Sequence, residues 1–142
     1  MRGKRFLSAG IVLLVLIVFI LSGCFPDGAG TETLKGTKWL LTAASVSSLD
    51  LSGYSITADF DELDISGRSA VNTYGGPYTI TGGGGFEVGE LSSTLMGGSE
   101  EAMRAEALYF ELLQQARKYL VTTTTLTLMD EGNQELLIFQ AR

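Results

Sequence analysis

A single cysteine, Cys24, and a complete lack of histidine bound the chemistry open to this 142-residue chain. A disulfide needs a second cysteine. A catalytic thiolate needs a neighbouring base, most often histidine. Cys24 instead follows Leu21-Ser22-Gly23, behind an apolar run from Ile11 to Leu21 and a basic tip of Arg2, Lys4 and Arg5. That order is an export signal ending in a lipobox, so Cys24 is expected to become the acylated first residue of the mature protein. An uncleaved anchor is the alternative, but Phe6 to Leu21 spans 16 residues, short of the ~20 a membrane-crossing helix needs. Either way the rest of the chain is expected outside the cytoplasm and tethered to a membrane. Each buried methylene is worth about 0.8 kcal/mol, so two or more acyl chains hold a protein on a bilayer almost permanently. Phe25 is not the acidic residue of an inner-membrane retention signal, which favours the outer membrane in a cell that has one.

Asn72-Thr73-Tyr74-Gly75-Gly76-Pro77-Tyr78 is the most distinctive segment beyond the leader. As a surface loop it would offer Asn72, Tyr74 and Tyr78 to a ligand or partner, its glycines letting another chain come close. Steric preference favours a plainer role, with Asn72 adopting or bracing a left-handed turn and the tyrosines packed on a sheet. Gly82-Gly83-Gly84-Gly85 lacks the following helix, Lys and Ser/Thr of a phosphate cradle and reads as a hairpin connection.

Asp59, Asp61, Glu62 and Asp64 form the densest acidic group. Leu63 stands where EF-hand spacing needs a ligand, so a solvated strand edge or turn is expected over a calcium site. Glu106 has no identifiable partner to share or shift its proton. It is expected to bond a group of the sheet, with Lys38, Arg68 and Arg104 as available counterions. Trp39 reads as a core anchor, and the threonines at 122–125 as ordinary strand formers. No catalytic set, metal site or cofactor is expected.

Removing residues 1–23 takes away three of the ten basic residues and none of the sixteen acidic ones, moving the net charge from −6 to −9. So acidic a surface argues against nucleic acid, which needs a basic patch. The 119 residues that remain suffice for one domain. Residues 24–33 form a lipidated flexible tether, rich in Gly, Pro and Thr, and the domain proper occupies 34–142.

Short alternating runs broken by Gly and Asp dominate that domain. Strands are expected at 37–41, at 54–60 (Tyr54, Ile56, Ala58 and Phe60 on one face), and at 68–71 after a turn at 64–67. Others are expected at 78–80, at 86–88 and around Leu91 to Leu95. A helix capped by Ser99 carries Ala102, Ala105, Tyr109, Leu112, Leu113, Ala116 and Leu120 on one stripe, with Arg117 and Lys118 at its end. Strands at 124–129 and 135–140 close the chain around a turn at 130–133. Runs of strands with one helix indicate an α+β fold, a curved antiparallel sheet with one helix packed across it.

Leu34-Lys35-Gly36-Thr37-Lys38-Trp39, the Asn72–Tyr78 segment and Thr94-Leu95-Met96 resemble the META domain, or heat-shock HslJ-like, family. Glu106, Phe110, Leu113, Tyr119, Leu126, Leu128, Leu137 and Phe139 fall in its order and spacing, so the resemblance covers about 34–140. It implies the same α+β fold, a lipoprotein or secreted setting, links to envelope stress, and no established enzymatic activity. Relatives often carry cysteines where this chain has Val71 and Gly98, so any redox or disulfide role of that pair does not carry over. The reading that results is a non-enzymatic binding or envelope-stress maintenance module, held to the membrane through lipid on Cys24. The alternative is an inhibitor or chaperone-like protein that engages an envelope protein partner through an exposed sheet edge.

Overall fold

The computed structural model describes residues 34–45 and 49–142; Cys24 and the 24–33 tether lie outside the described residues. Nine strands and one helix follow in the order β1 (Lys38–Ala44), β2 (Thr57–Phe60), β3 (Asp64–Arg68), β4 (Thr73–Thr81), β5 (Gly85–Val88), β6 (Ser92–Ser93), α1 (Glu100–Gln115), β7 (Lys118–Val121), β8 (Thr125–Met129) and β9 (Glu135–Ala141). Every strand pairing among them is antiparallel. Eight strands close into a ring in the order β1-β9-β8-β7-β5-β4-β3-β2, and the short β6 adds to β4 beside β5.

The sheet is therefore a closed barrel, where a curved antiparallel sheet with one helix packed across it was expected. Closure runs through β5 and β7. Gly85 faces Lys118, Phe86 N–H donates to Arg117 O at 2.8 Å, and Tyr119 N–H donates to Gly84 O at 2.9 Å. From sequence, β7 is absorbed into the helix, because Leu120 continues its apolar spacing. The helix in fact ends at Ala116, whose backbone is extended. The Arg117 guanidinium donates to Gln114 O and Ala116 O, each at 2.7 Å, and occupies carbonyls left open at the helix end. Leu120 points outward and is 54 % exposed.

The third strand also differs. It runs over Asp64–Arg68, and the turn falls at 69–72, where Ser69 N–H donates to Asn72 O at 2.7 Å. Gly67 does not serve as a turn residue. A Cβ there would stand 2.1 Å from Thr57 O, so glycine is what lets β2 and β3 approach. The strand expected around Leu91 to Leu95 shrinks to Ser92–Ser93. The hairpin over 82–85 forms as expected, with Gly83 and Gly84 in the left-handed region at φ 82° and 80°.

Alternation fills the interior with Trp39, Leu41, Ala58, Phe60, Tyr78, Phe86, Leu126, Leu128 and Phe139, all buried. Phe60 packs edge-on against Tyr78, centroids 5.1 Å apart, and against Phe86 at 6.2 Å. Trp39 is part of this core, and its Nε1–H donates to Thr37 Oγ1 at 2.7 Å.

Ser99 caps α1 by accepting from Ala102 N–H at 3.2 Å. The helix buries Ala105, Tyr109, Leu112 and Leu113. It touches β9 and β5, which stand three places apart around the ring, and its Glu106 bonds the β3–β4 turn. It therefore lies across one end of the barrel. β4 runs from that end for nine residues, about 30 Å at ~3.3 Å per residue, so Thr81 marks the opposite, helix-free end. No helix among the described residues is long and apolar enough to cross a membrane.

Candidate functional site

The two ends of β4 carry two different constellations. At the helix end, the β3–β4 turn aims four donors at one carboxylate. Ser69 hydroxyl, Val71 N–H (3.1 Å) and Asn72 N–H (2.8 Å) donate to Glu106 Oε2, and Asn72 Nδ2 donates to Oε1 at 2.8 Å. Asn72 Oδ1 faces the other way and accepts from Thr94 Oγ1 at 2.8 Å and Met96 N–H at 2.7 Å. One asparagine thus ties β4, the helix and the 94–96 segment together.

Burial pushes the Glu106 carboxyl up, but the hydrogen bonds from Ser69, Asn72 and Val71 outweigh it and hold the group below the usual carboxylate range. At neutral pH it is ionised and has no proton to donate. The counterions expected from sequence do not supply its bonds. Arg104 pairs with Glu100, one turn back on the helix, and hydroxyl, amide and backbone donors satisfy Glu106 instead. A turn that delivers two N–H groups and a hydroxyl to one point makes a cation unnecessary.

Tyr74 lies deeper at the same end. Its hydroxyl donates to Thr57 O at 2.9 Å and stands 2.6 Å from the Tyr109 hydroxyl. Burial raises both phenols well above their ordinary value. The Asn72–Tyr78 segment is thus turn and strand, and Asn72 and Tyr74 spend their polar atoms inside the fold.

Tyr78 is placed differently. Its hydroxyl donates to Asp61 O at 2.9 Å, while its ring borders a cleft of about 470 Å³ at the helix-free end. Lys35 enters this cleft from the segment before β1, Glu62 and Leu63 from the β2–β3 turn, Thr79 and Ile80 from β4, and Tyr119 from β7. Lys35 Nζ lies 2.7 Å from Glu62 Oε1 across the rim, and that bond raises the pKa of the lysine. Burial, with the nearby Asp61 charge, pushes the Tyr78 phenol up. A second cleft of about 360 Å³ opens at the same end, between Gly36–Trp39, Val121–Thr123 and Ala141–Arg142. Sequence reasoning missed Leu63 and Tyr119 as site residues; only barrel closure brings them together.

The acidic group spreads along this rim without converging. Asp59 pairs with Arg142 (Oδ2 to Nη2, 2.7 Å), Glu62 with Lys35, and Asp61 Oδ1 accepts from Glu62 N–H at 2.9 Å. Among the described residues, no group of three or more acidic, His or Cys side chains is placed to hold a metal ion.

The META domain family profile matches residues 32–142. The chain belongs to the META domain family. The META barrel is similar to the NMR structure of a protein from Burkholderia xenovorans, with a TM-score of 0.61 at 24 % identity over 77 % of this chain and 83 % of that one. It is also similar to the crystal structure of a DUF4847 family protein from Bacteroides vulgatus ATCC 8482, with a TM-score of 0.58 at 14 % identity over 77 % and 94 %. A second NMR structure gives a TM-score of 0.54 at 20 % identity over 73 % and 88 %. At these identities the likeness establishes the META fold alone. No curated protein matches the chain.

Proposed function

We propose that this protein is a lipid-anchored cell-envelope module whose META barrel binds a small amphipathic molecule in the Tyr78–Tyr119 cleft and carries out no chemistry on it. The observation that supports this most is the cleft itself. Its volume of about 470 Å³ lies within the ~300–1,000 Å³ typical of small-molecule sites. Tyr78, Tyr119, Leu63 and Ile80 offer an apolar wall, and Lys35 with Glu62 offers a polar rim for a head group. Family membership supports a stress-related maintenance role, and the Leu21–Cys24 lipobox supports anchoring.

The test uses the barrel from residue 34 onward and anilinonaphthalene sulfonate, an anionic amphipathic dye. Saturable one-to-one binding that Ile80→Trp, on the same face of β4 as Tyr78, abolishes by filling the cleft is the expected result. Equal affinity in the variant would contradict it.

A second reading is an inhibitor or chaperone-like role, in which an envelope protein adds a strand to the barrel. Closure leaves little edge for this, but one observation favours it. Leu95, beside the short β6, is 98 % exposed while Asn72 holds its neighbours Thr94 and Met96. A partner captured by the wild type and lost on Leu95→Asp would select this reading.

A further inference from the structure

The chain enters the barrel at the helix-free end. Leu34 is fully buried there, Gly36 N–H donates to Phe60 O at 2.8 Å, and Lys35 pairs with Glu62 of the β2–β3 turn. On the lipid-anchor reading, from which this inference starts, ten residue steps lead from the acylated Cys24 to Leu34. Fully extended they reach about 35 Å. The barrel wall measured along the nine residues of β4 is itself about 30 Å. For the helix end to rest on the bilayer, the tether would have to double back along almost the whole wall. The helix-free end needs no such path.

That end also carries a contact suited to lipid. Leu63, at the tip of the β2–β3 turn, is 69 % exposed. Beside it Lys35 pairs with Glu62, and on the same end of the barrel Lys38 and Arg142 line the second cleft, Arg142 paired with Asp59. Mixed signs of charge on one rim match a zwitterionic headgroup, which presents an ammonium and a phosphate side by side, and do not match a surface of one sign. We infer that the helix-free end of the barrel docks on a zwitterionic lipid surface, with Leu63 in the headgroup layer and the Tyr78–Tyr119 cleft opening towards the bilayer.

Cys24 is consumed by acylation on this reading, so a single introduced cysteine can carry a fluorophore. The acylated chain is reconstituted in phosphatidylcholine–phosphatidylethanolamine vesicles containing a headgroup nitroxide lipid. One preparation is labelled at Leu63→Cys and another at Glu111→Cys, an exposed position on α1. Loss of fluorescence at position 63 with none at 111 is expected. Equal loss at both positions, or greater loss at 111, in a chain whose mass confirms acylation would overturn the docking alone. A chain whose mass shows an unmodified Cys24 would overturn the anchor and the docking with it.

Discussion

Val71 fills the space that a side chain on Gly98 would need: a Cβ on Gly98 would stand 2.8 Å from Val71 Cγ2 and 3.6 Å from Val71 Cβ. These are the two positions at which the resemblance to the family leads one to expect cysteines in relatives. A Cβ–Cβ separation of 3.6 Å lies within the ~3.5–4.5 Å span of a disulfide. The valine takes up by packing what a bridge would otherwise occupy.

The pair V71C/G98C should therefore oxidise to a bridge between the β3–β4 turn and the segment before α1. Loop-closure entropy puts the gain at about 3–4 kcal/mol. Melting with and without reductant measures it. The unaltered barrel should melt at the same temperature in both, and dependence on oxidant would contradict the role given to Val71.

Removing the Glu106 carboxylate should be costly. Glu106→Gln keeps one acceptor oxygen and turns the other into an NH2, so either the Val71 and Asn72 N–H groups or the Asn72 side-chain amide loses its acceptor, and a buried donor left unpaired costs about 1–3 kcal/mol. Urea denaturation at pH 7 gives the figure. A change within error of zero would mean that the turn finds other acceptors.

Acid should expose the same group. The folded carboxyl titrates below its ordinary value of 4.5, so folding favours the ionised form. Its contribution is complete above pH 4.5 and is lost as pH falls through the lower folded value. Stability should decline on that acid limb, and more steeply in the wild type than in Glu106→Gln. Parallel curves would remove Glu106 from the acid response.

Gly67→Ala should test the close backbone approach of β2 and β3. A methyl 2.1 Å from Thr57 O forces β2 and β3 apart, and overpacking of this kind costs about 1–3 kcal/mol. Gly82→Ala, where nothing lies within 4 Å, is the control and should be near neutral.

Where local patterning dictated structure, the sequence was legible. Ile56, Ala58 and Phe60 face the core as their alternation required, Ser99 caps the helix, and the glycines at 83 and 84 turn the hairpin. Three elements escaped for separate physical reasons. Lys118–Val121 carries helical spacing through Leu120, yet it pairs as a strand. Gly67 has a turn residue's identity but serves a close approach between strands. Barrel closure rests on Gly85 facing Lys118, a contact across 33 residues that leaves no local pattern. The cleft was invisible for the same reason, since its wall draws on residues from 35 to 119. Asn72 was expected to adopt or brace a left-handed turn; it braces the 69–72 turn without a positive φ, and its bond to Glu106 needed the fold to appear.

Intact mass of the protein extracted from its native membrane tests the anchored barrel most directly. The expected species begins at Cys24, lacks residues 1–23 and carries the added mass of acyl chains. A chain with an unmodified sulfur, recovered from the soluble fraction, would contradict it.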